Sequence, residues 1–277
     1  TLAKGNPVPI VVDYSCDLGK SDAKAVLRLF WTPPGGQEAP VPAGAYSCLG
    51  RPRGVVSDPQ GIAAQLLNLT GGAHCRLVWT GAKMEAFDTR TKTVRKLADN
   101  GSTTPYITPD GAFVVFHRTD GPKPGSYAIP WEGGEERFLC KSWATSTWQD
   151  PTNKTIWAVA CNGAHLFPFA DDEPKGIFRL RLDKPSVREV VYVIEPTRST
   201  RFFWMSPDGK RAAGSLPPAF GWVDLERGVY TPVGGGCDGA IAPDDSYRMF
   251  RSEGNHTEIS VFDGDGSNPR IVSLGTE

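Results

Sequence analysis

The chain has 277 residues, with 30 Lys and Arg against 31 Asp and Glu and a formal net charge of −1. That balance gives no electrostatic reason to expect a nucleic-acid partner or an anionic membrane surface, and no apolar run approaches the length of a membrane span. Apolar residues make up 39%, enough for a sizeable core, while 31 Gly and 24 Pro favour many tight turns over long helices.

The first 50 residues, with LAKGNPVPIVVDYSC and AKAVLRLFWTPPGGQEAPVPAGAY, alternate apolar and polar positions like the strands of a β-sandwich. Further on, CRLVWTG leads into MEAFDTRTKTVRKL, a hairpin with a polar tip. A repeat then sets in. Thr108-Pro109-Asp110-Gly111 precedes AFVVFHR, Asp150-Pro151-Thr152-Asn153 precedes KTIWAVAC, Ser206-Pro207-Asp208-Gly209 precedes KRAAGSL, and Ala242-Pro243-Asp244-Asp245 precedes SYRMFRS. Proline presets φ for the first turn position, and Asp-Gly or Asn suits the positions after it, so each copy reads strand, tight turn, strand. Tyr106, Trp148 and Trp204 lie three residues before the proline in the first three copies. A polar-tipped hairpin comes after each copy: AIPWEGGEERFLC, FRLRLDKPSVREVVYV, WVDLERGVYTPV and ISVFDGDGSNPRIVSL.

Five hairpins imply five four-stranded units, and prolines spaced by 42, 56 and 36 residues match the size of a propeller blade. The fold expected is all-β: a β-propeller of about five four-stranded blades over residues 51–277, behind β-sandwich strands in residues 1–50. No amphipathic helix is expected anywhere in the region of these repeats.

The SPDGKR turn and the DGDGSNPR hairpin resemble the TolB-like propeller repeat, from about residue 60 to the end. That resemblance implies a fold and not a function, because the repeat serves scaffolds, peptidase gates and polysaccharide lyases. The run from Gly5 to Tyr14 and the run from Leu29 to Gly35 resemble the C-terminal half of a protective-antigen-type β-sandwich, a domain often used for glycan binding. The resemblance implies a longer or multi-chain native protein, of a kind found among secreted bacterial proteins.

The six cysteines, Cys16, Cys48, Cys75, Cys140, Cys161 and Cys237, contain no CxxC pair and are read as disulfide candidates in an oxidising compartment. The same spacing also fits six buried free thiols. Asn68, Asn100, Asn153 and Asn255 open N-x-S/T sequons, which read as glycosylation sites or as ordinary turn composition. Gly234 to Gly239 satisfies G-x-G-x-x-G, but no helix comes next to receive a pyrophosphate, so it reads as a linker between blades. Asp263 to Asn268 lacks the glycine and glutamate that a calcium loop needs and reads as a hairpin tip.

Catalytic strings are missing: there is no GxSxG, HExxH or P-loop. His117 and Arg118, and His165 in a comparable place, are the candidate catalytic residues, expected at a channel rim. Trp143, Trp148, Trp204 and Trp222 are the candidate sugar-stacking residues, with Trp148 and Trp204 as readily explained by packing between blades. No metal ligand spacing and no cofactor motif is present. The sequence therefore points to a secreted, periplasmic or cell-surface noncatalytic module that binds glycan or protein or acts as a scaffold. The alternative is a lyase-like, polysaccharide-degrading enzyme with its site at the channel mouth. A cluster of His, Arg and Tyr at one mouth would favour the enzyme, and an axis filled by side chains would favour the scaffold.

Overall fold

The computed structural model describes residues 30–31, 39–40, 59–81, 83–99, 102–119, 121–163, 170–194, 200, 202–216, 219–235, 238–253 and 257–273. The chain divides into two compact units, Thr1–Val55 and Val56–Glu277. Within the first, the described residues are one antiparallel pair, β1 (Phe30–Trp31) and β2 (Ala39–Pro40). The rest of the segment that resembles the protective-antigen sandwich lies outside the described residues, with Cys16 and Cys48.

The second unit opens on α1 (Pro59–Leu69), a helix that the sequence reading does not anticipate. Pro59 and Gly61 look like turn punctuation in a β-rich chain. Proline is nevertheless well suited to the first helical position, where its fixed φ fits and its missing N–H costs nothing. The adjoining AAQLL stretch consists of strong helix formers. Thr70 closes the helix, its N–H and its hydroxyl both donating to the Leu66 carbonyl at 3.0 and 2.8 Å. Gly71 and Gly72 then turn the chain away at φ +63° and +87°.

Five antiparallel sheets come next in chain order and form a β-propeller. The first contains β3 (Arg76–Thr80), β4 (Met84–Asp88) and β5 (Thr93–Ala98), three strands among the described residues. The second contains β6 (Ser102–Ile107), β7 (Phe113–Arg118), β8 (Gly125–Pro130) and β9 (Arg137–Cys140). The third contains β10 (Trp143–Gln149), β11 (Ile156–Cys161), β12 (Ile177–Arg181) and β13 (Arg188–Tyr192). The fourth contains β14 (Phe203–Met205), β15 (Arg211–Leu216), β16 (Ala219–Asp224) and β17 (Val229–Gly234). The fifth contains β18 (Gly239–Ile241), β19 (Met249–Glu253), β20 (Glu258–Phe262) and β21 (Arg270–Ser273). From the first sheet to the fifth, the first strand of each touches the first strand of the next (β3 to β6, β6 to β10, β10 to β14 and β14 to β18), so these strands form the inner edge of the propeller.

Consecutive blades, from the first to the fifth, meet through apolar faces, while Leu77 of the first blade and Phe250 and Val272 of the fifth are exposed. Val115, Ala128 and Leu139 of the second blade meet Ala158, Ala160 and Phe178 of the third. Trp157, Val159 and Ile177 of the third meet Phe203, Ala212 and Val223 of the fourth. Each large side chain buried in this way contributes about 1.5–3 kcal/mol.

The repeated turns behave as their residues require. Thr108 and Ser206 each donate a hydroxyl hydrogen bond, at 2.6 Å, to Asp110 and Asp208 two residues on. Gly111 and Gly209 take φ +73° and +74°. Each of these glycines also lies under a planar group from the preceding blade. A β-carbon at Gly111 would stand 2.7 Å from Arg76 Nη1, and one at Gly209 would stand 2.8 Å from Trp148 Cζ2. The Asp263–Asn268 segment is a hairpin tip between β20 and β21, with Gly266 and Asn268 at φ +85° and +51°.

Candidate functional site

The axis of a propeller is where polar groups from several blades can converge, and the inner strands decide what stands there. β6 carries a bulge between Thr103 and Tyr106, with Thr104 at φ +50°. Bulges re-aim the side chains beside them. Here Tyr106 of the second blade reaches Trp204 of the fourth, with ring centroids 5.3 Å apart and an interplanar angle of 77°. The third blade lies between these two in the ring, so their contact crosses the axis. Tyr106 is buried, at 7% exposure. Burial, reinforced by the negative charge of Asp238 from the fifth blade, raises its phenol pKa above the usual value. The phenol hydroxyl has no hydrogen-bond partner among the described residues.

Hydroxyls tie the inner strands together around this contact. β10 is bulged between Ala144 and Ser146, which presents two adjacent hydroxyls to one carbonyl. Ser146 donates to the Phe203 carbonyl at 2.6 Å and Thr145 to the same oxygen at 3.4 Å. On the other side Thr147 donates to the Ile107 carbonyl at 3.0 Å. The second, third and fourth blades are thus joined at the axis by side-chain bonds to backbone. Among the described residues, the groups gathered here are the Tyr106 phenol, whose protonated form burial favours, and the Trp204 indole.

His117 is wholly buried between the second and third blades and not at a rim. Its ring stacks on Trp143 at 4.6 Å, and its Nδ1 lies 3.1 Å from Ser126 Oγ. Ser126 in turn donates to the Ser142 carbonyl at 2.7 Å and accepts the Ala144 N–H at 2.8 Å. Burial lowers the imidazole pKa to about 4, so the ring is neutral at pH 7. Arg118 is on the opposite face of the same strand, because neighbouring strand residues alternate. It pairs with Glu136 at 2.6 Å and spans the rings of Phe116 and Tyr127. The two residues therefore do not act on one point. His165 lies outside the described residues.

The tryptophans are mostly braces between blades. Trp148 is buried, donates Nε1–H to the Ser206 carbonyl at 2.9 Å, and receives Arg179 over its ring at 4.8 Å. Trp222 lies under Arg211 at 4.7 Å, while Arg211 reaches across to the Gly264 carbonyl at 2.6 Å. Trp143 belongs to the His117 stack and Trp204 to the axial contact. Sequence reasoning does not single out Tyr106 or Asp238 as site residues. Tyr106 stands in the repeat position before the turn, where packing is the natural expectation, and Asp238 sits in a Gly-rich linker that carries no local signal.

Cys75, Cys140 and Cys161 carry free thiols, so disulfides are not formed at these three candidate positions. Cys140 and Cys161 fill blade interfaces as small apolar groups. Cys237 lies outside the described residues, as do Asn100 and Asn255. Asn68 and Asn153 are exposed. No helix among the described residues is long and apolar enough to cross a membrane.

No protein-family model and no curated protein matches the chain. Among solved structures it is similar to TolB from Acinetobacter baumannii, with a TM-score of 0.52 at 15% identity over 71% of this chain and 50% of that one. It is also similar to a putative TolB from Agrobacterium tumefaciens, with a TM-score of 0.51 at 15% identity over 74% of this chain and 77% of that one. An oligogalacturonate lyase gives a TM-score of 0.47 at 14% identity over 72% of this chain and 61% of that one. The chain spans half the length of the A. baumannii protein. Likeness at these identities is likeness of fold alone.

Proposed function

We propose that the chain is a noncatalytic, extracytoplasmic binding module that presents the rim of a propeller to a protein or glycan. One observation carries this reading: the contact of Tyr106 with Trp204 across the axis, which occupies the place where a propeller enzyme would gather its catalytic groups. The burial of His117 beneath Trp143 supports it, because that imidazole has no approach for a substrate. The exposed sequon residues Asn68 and Asn153 are compatible with an extracytoplasmic setting. Loops on a rigid stack of sheets suit binding, since they vary without disturbing the core. The reading is tested by presenting the immobilised chain to a glycan array and to cross-linking with a secreted-protein fraction. Saturable capture of one ligand class that returns chemically unchanged supports the reading, and a ligand that returns cleaved overturns it.

A further inference from the structure

The second and third blades leave a groove of about 370 Å³ at the side where their first and second strands turn. Its floor is apolar: Phe113 from β7, Ile156 from β11 and Leu182 from the turn after β12. Its rim is cationic. Arg137 donates to the Leu182 carbonyl, and its guanidinium lies 6.0 Å from the centre of the Phe113 ring. Arg181 is neutralised locally, holding Asp183 through two hydrogen bonds of 3.0 and 2.6 Å. Arg137 and Lys154 have no carboxylate partner among the described residues, and both line the groove. The rim thus carries two uncompensated positive charges beside an apolar floor, in a chain whose net charge is −1.

We propose that this groove binds an acidic peptide segment of a partner protein, with a carboxylate placed between Arg137 and Lys154 and an apolar neighbour on Phe113 and Ile156. A guanidinium and an ammonium facing one carboxylate form charge-assisted hydrogen bonds, and the apolar floor excludes the water that would screen them. A sugar fits the lining less well. A neutral sugar brings no charge to Arg137 and Lys154, and the one carboxylate that could accept from its hydroxyls, Asp183, is already bound twice by Arg181. An Asp or Glu flanked by Leu or Phe matches what the groove offers. The proposal rests on the reading of the chain as a binding module and names the chemistry of its partner.

The test uses the full chain and a fluorescein-labelled hexapeptide alternating glutamate and leucine, monitored by fluorescence polarisation. Saturable binding is expected, weakening with added salt. Lys154→Glu is expected to weaken it at least about fivefold with an unchanged melting curve, because the Lys154 side chain is exposed and the residue's bonds within its turn are made by its backbone. Lys123→Glu, a charge reversal over the Phe138 ring away from the groove, is expected to leave binding within about twofold. No saturable binding, equal affinity in Lys154→Glu, or an equal loss in both variants overturns the proposal. Displacement of the peptide by a uronate oligomer that itself binds more tightly overturns the ligand class. None of these outcomes bears on whether the chain turns over a substrate, which is measured separately.

Discussion

Trp148 of the third blade packs against Gly209 of the fourth so closely that a β-carbon there would fall 2.8 Å from Cζ2, while its indole N–H donates to the Ser206 carbonyl of the same turn. The turn is held from the other side too, since Tyr247 of the fifth blade donates its hydroxyl to Asp208. One tight turn therefore joins three blades. Its glycine is required twice over, by a φ of +74° and by the indole above it.

Gly209→Ala is therefore expected to destabilise the chain by about 1–3 kcal/mol through backbone strain and the displaced indole. Trp148→Phe is expected to cost a similar amount, about 1–3 kcal/mol, from the lost hydrogen bond and lost volume. The two losses act on one contact, so the double variant is expected to lose less than their sum. Chemical denaturation of the four proteins measures this, and strict additivity would show that the ring and the turn do not depend on each other.

The axial contact makes a parallel prediction. A double-mutant cycle with Tyr106→Leu and Trp204→Leu is expected to show a coupling of about 0.5–1.5 kcal/mol, the range for an edge-to-face aromatic pair. A coupling indistinguishable from zero would mean that the two rings do not meet across the axis in solution.

His117 gives the fold a pH dependence with a definite sign. Burial holds its pKa at about 4 against 6.5 for the free side chain. Between those values the unfolded chain takes up a proton that the folded chain refuses, so stability falls as pH falls from about 6.5 toward about 4. Above that window neither state is protonated, and below it both are, so this contribution stops changing. The loss across the window is about 3 kcal/mol. Melting temperatures measured at intervals through the window should show the slope in the native sequence and a clearly shallower one in His117→Gln. Equal slopes would assign the effect to carboxylates instead.

The thiols offer a chemical check. Burial pushes Cys140 up to about 12 and Cys161 up to about 11, so neither supplies thiolate near neutral pH. Iodoacetamide is expected to modify neither in the folded chain and both after denaturation, with peptide masses showing no disulfide at either. A disulfide-linked peptide containing Cys140 or Cys161 would contradict the packing described for the blade interfaces.

Much of the propeller was legible in the sequence because its punctuation is local. A Pro, an Asp and a Gly within four consecutive positions, as at Ser206–Gly209, declare a turn by their backbone preferences alone, and the polar hairpin tips such as Asp263–Asn268 do the same. The helix Pro59–Leu69 was not legible, because the residues that start it are the ones that break helices elsewhere. The site was mostly illegible for a different reason. Whether His117 faces a rim or a neighbouring blade depends on strand register, which one residue of slip inverts. The meeting of Tyr106 with Trp204 needs residues on non-adjacent blades and a bulge at Thr104, and no spacing in the sequence announces either.

The central claim is that this propeller binds without catalysing, and turnover tests it most directly. The purified chain, and Trp204→Ala beside it, would be incubated with a panel of neutral and acidic oligosaccharides, including oligogalacturonate, with every mass read before and after. The account predicts that all substrates return with their masses unchanged for both proteins. Cleavage by the native chain, reduced in Trp204→Ala, would contradict it and place a catalytic site at the axis.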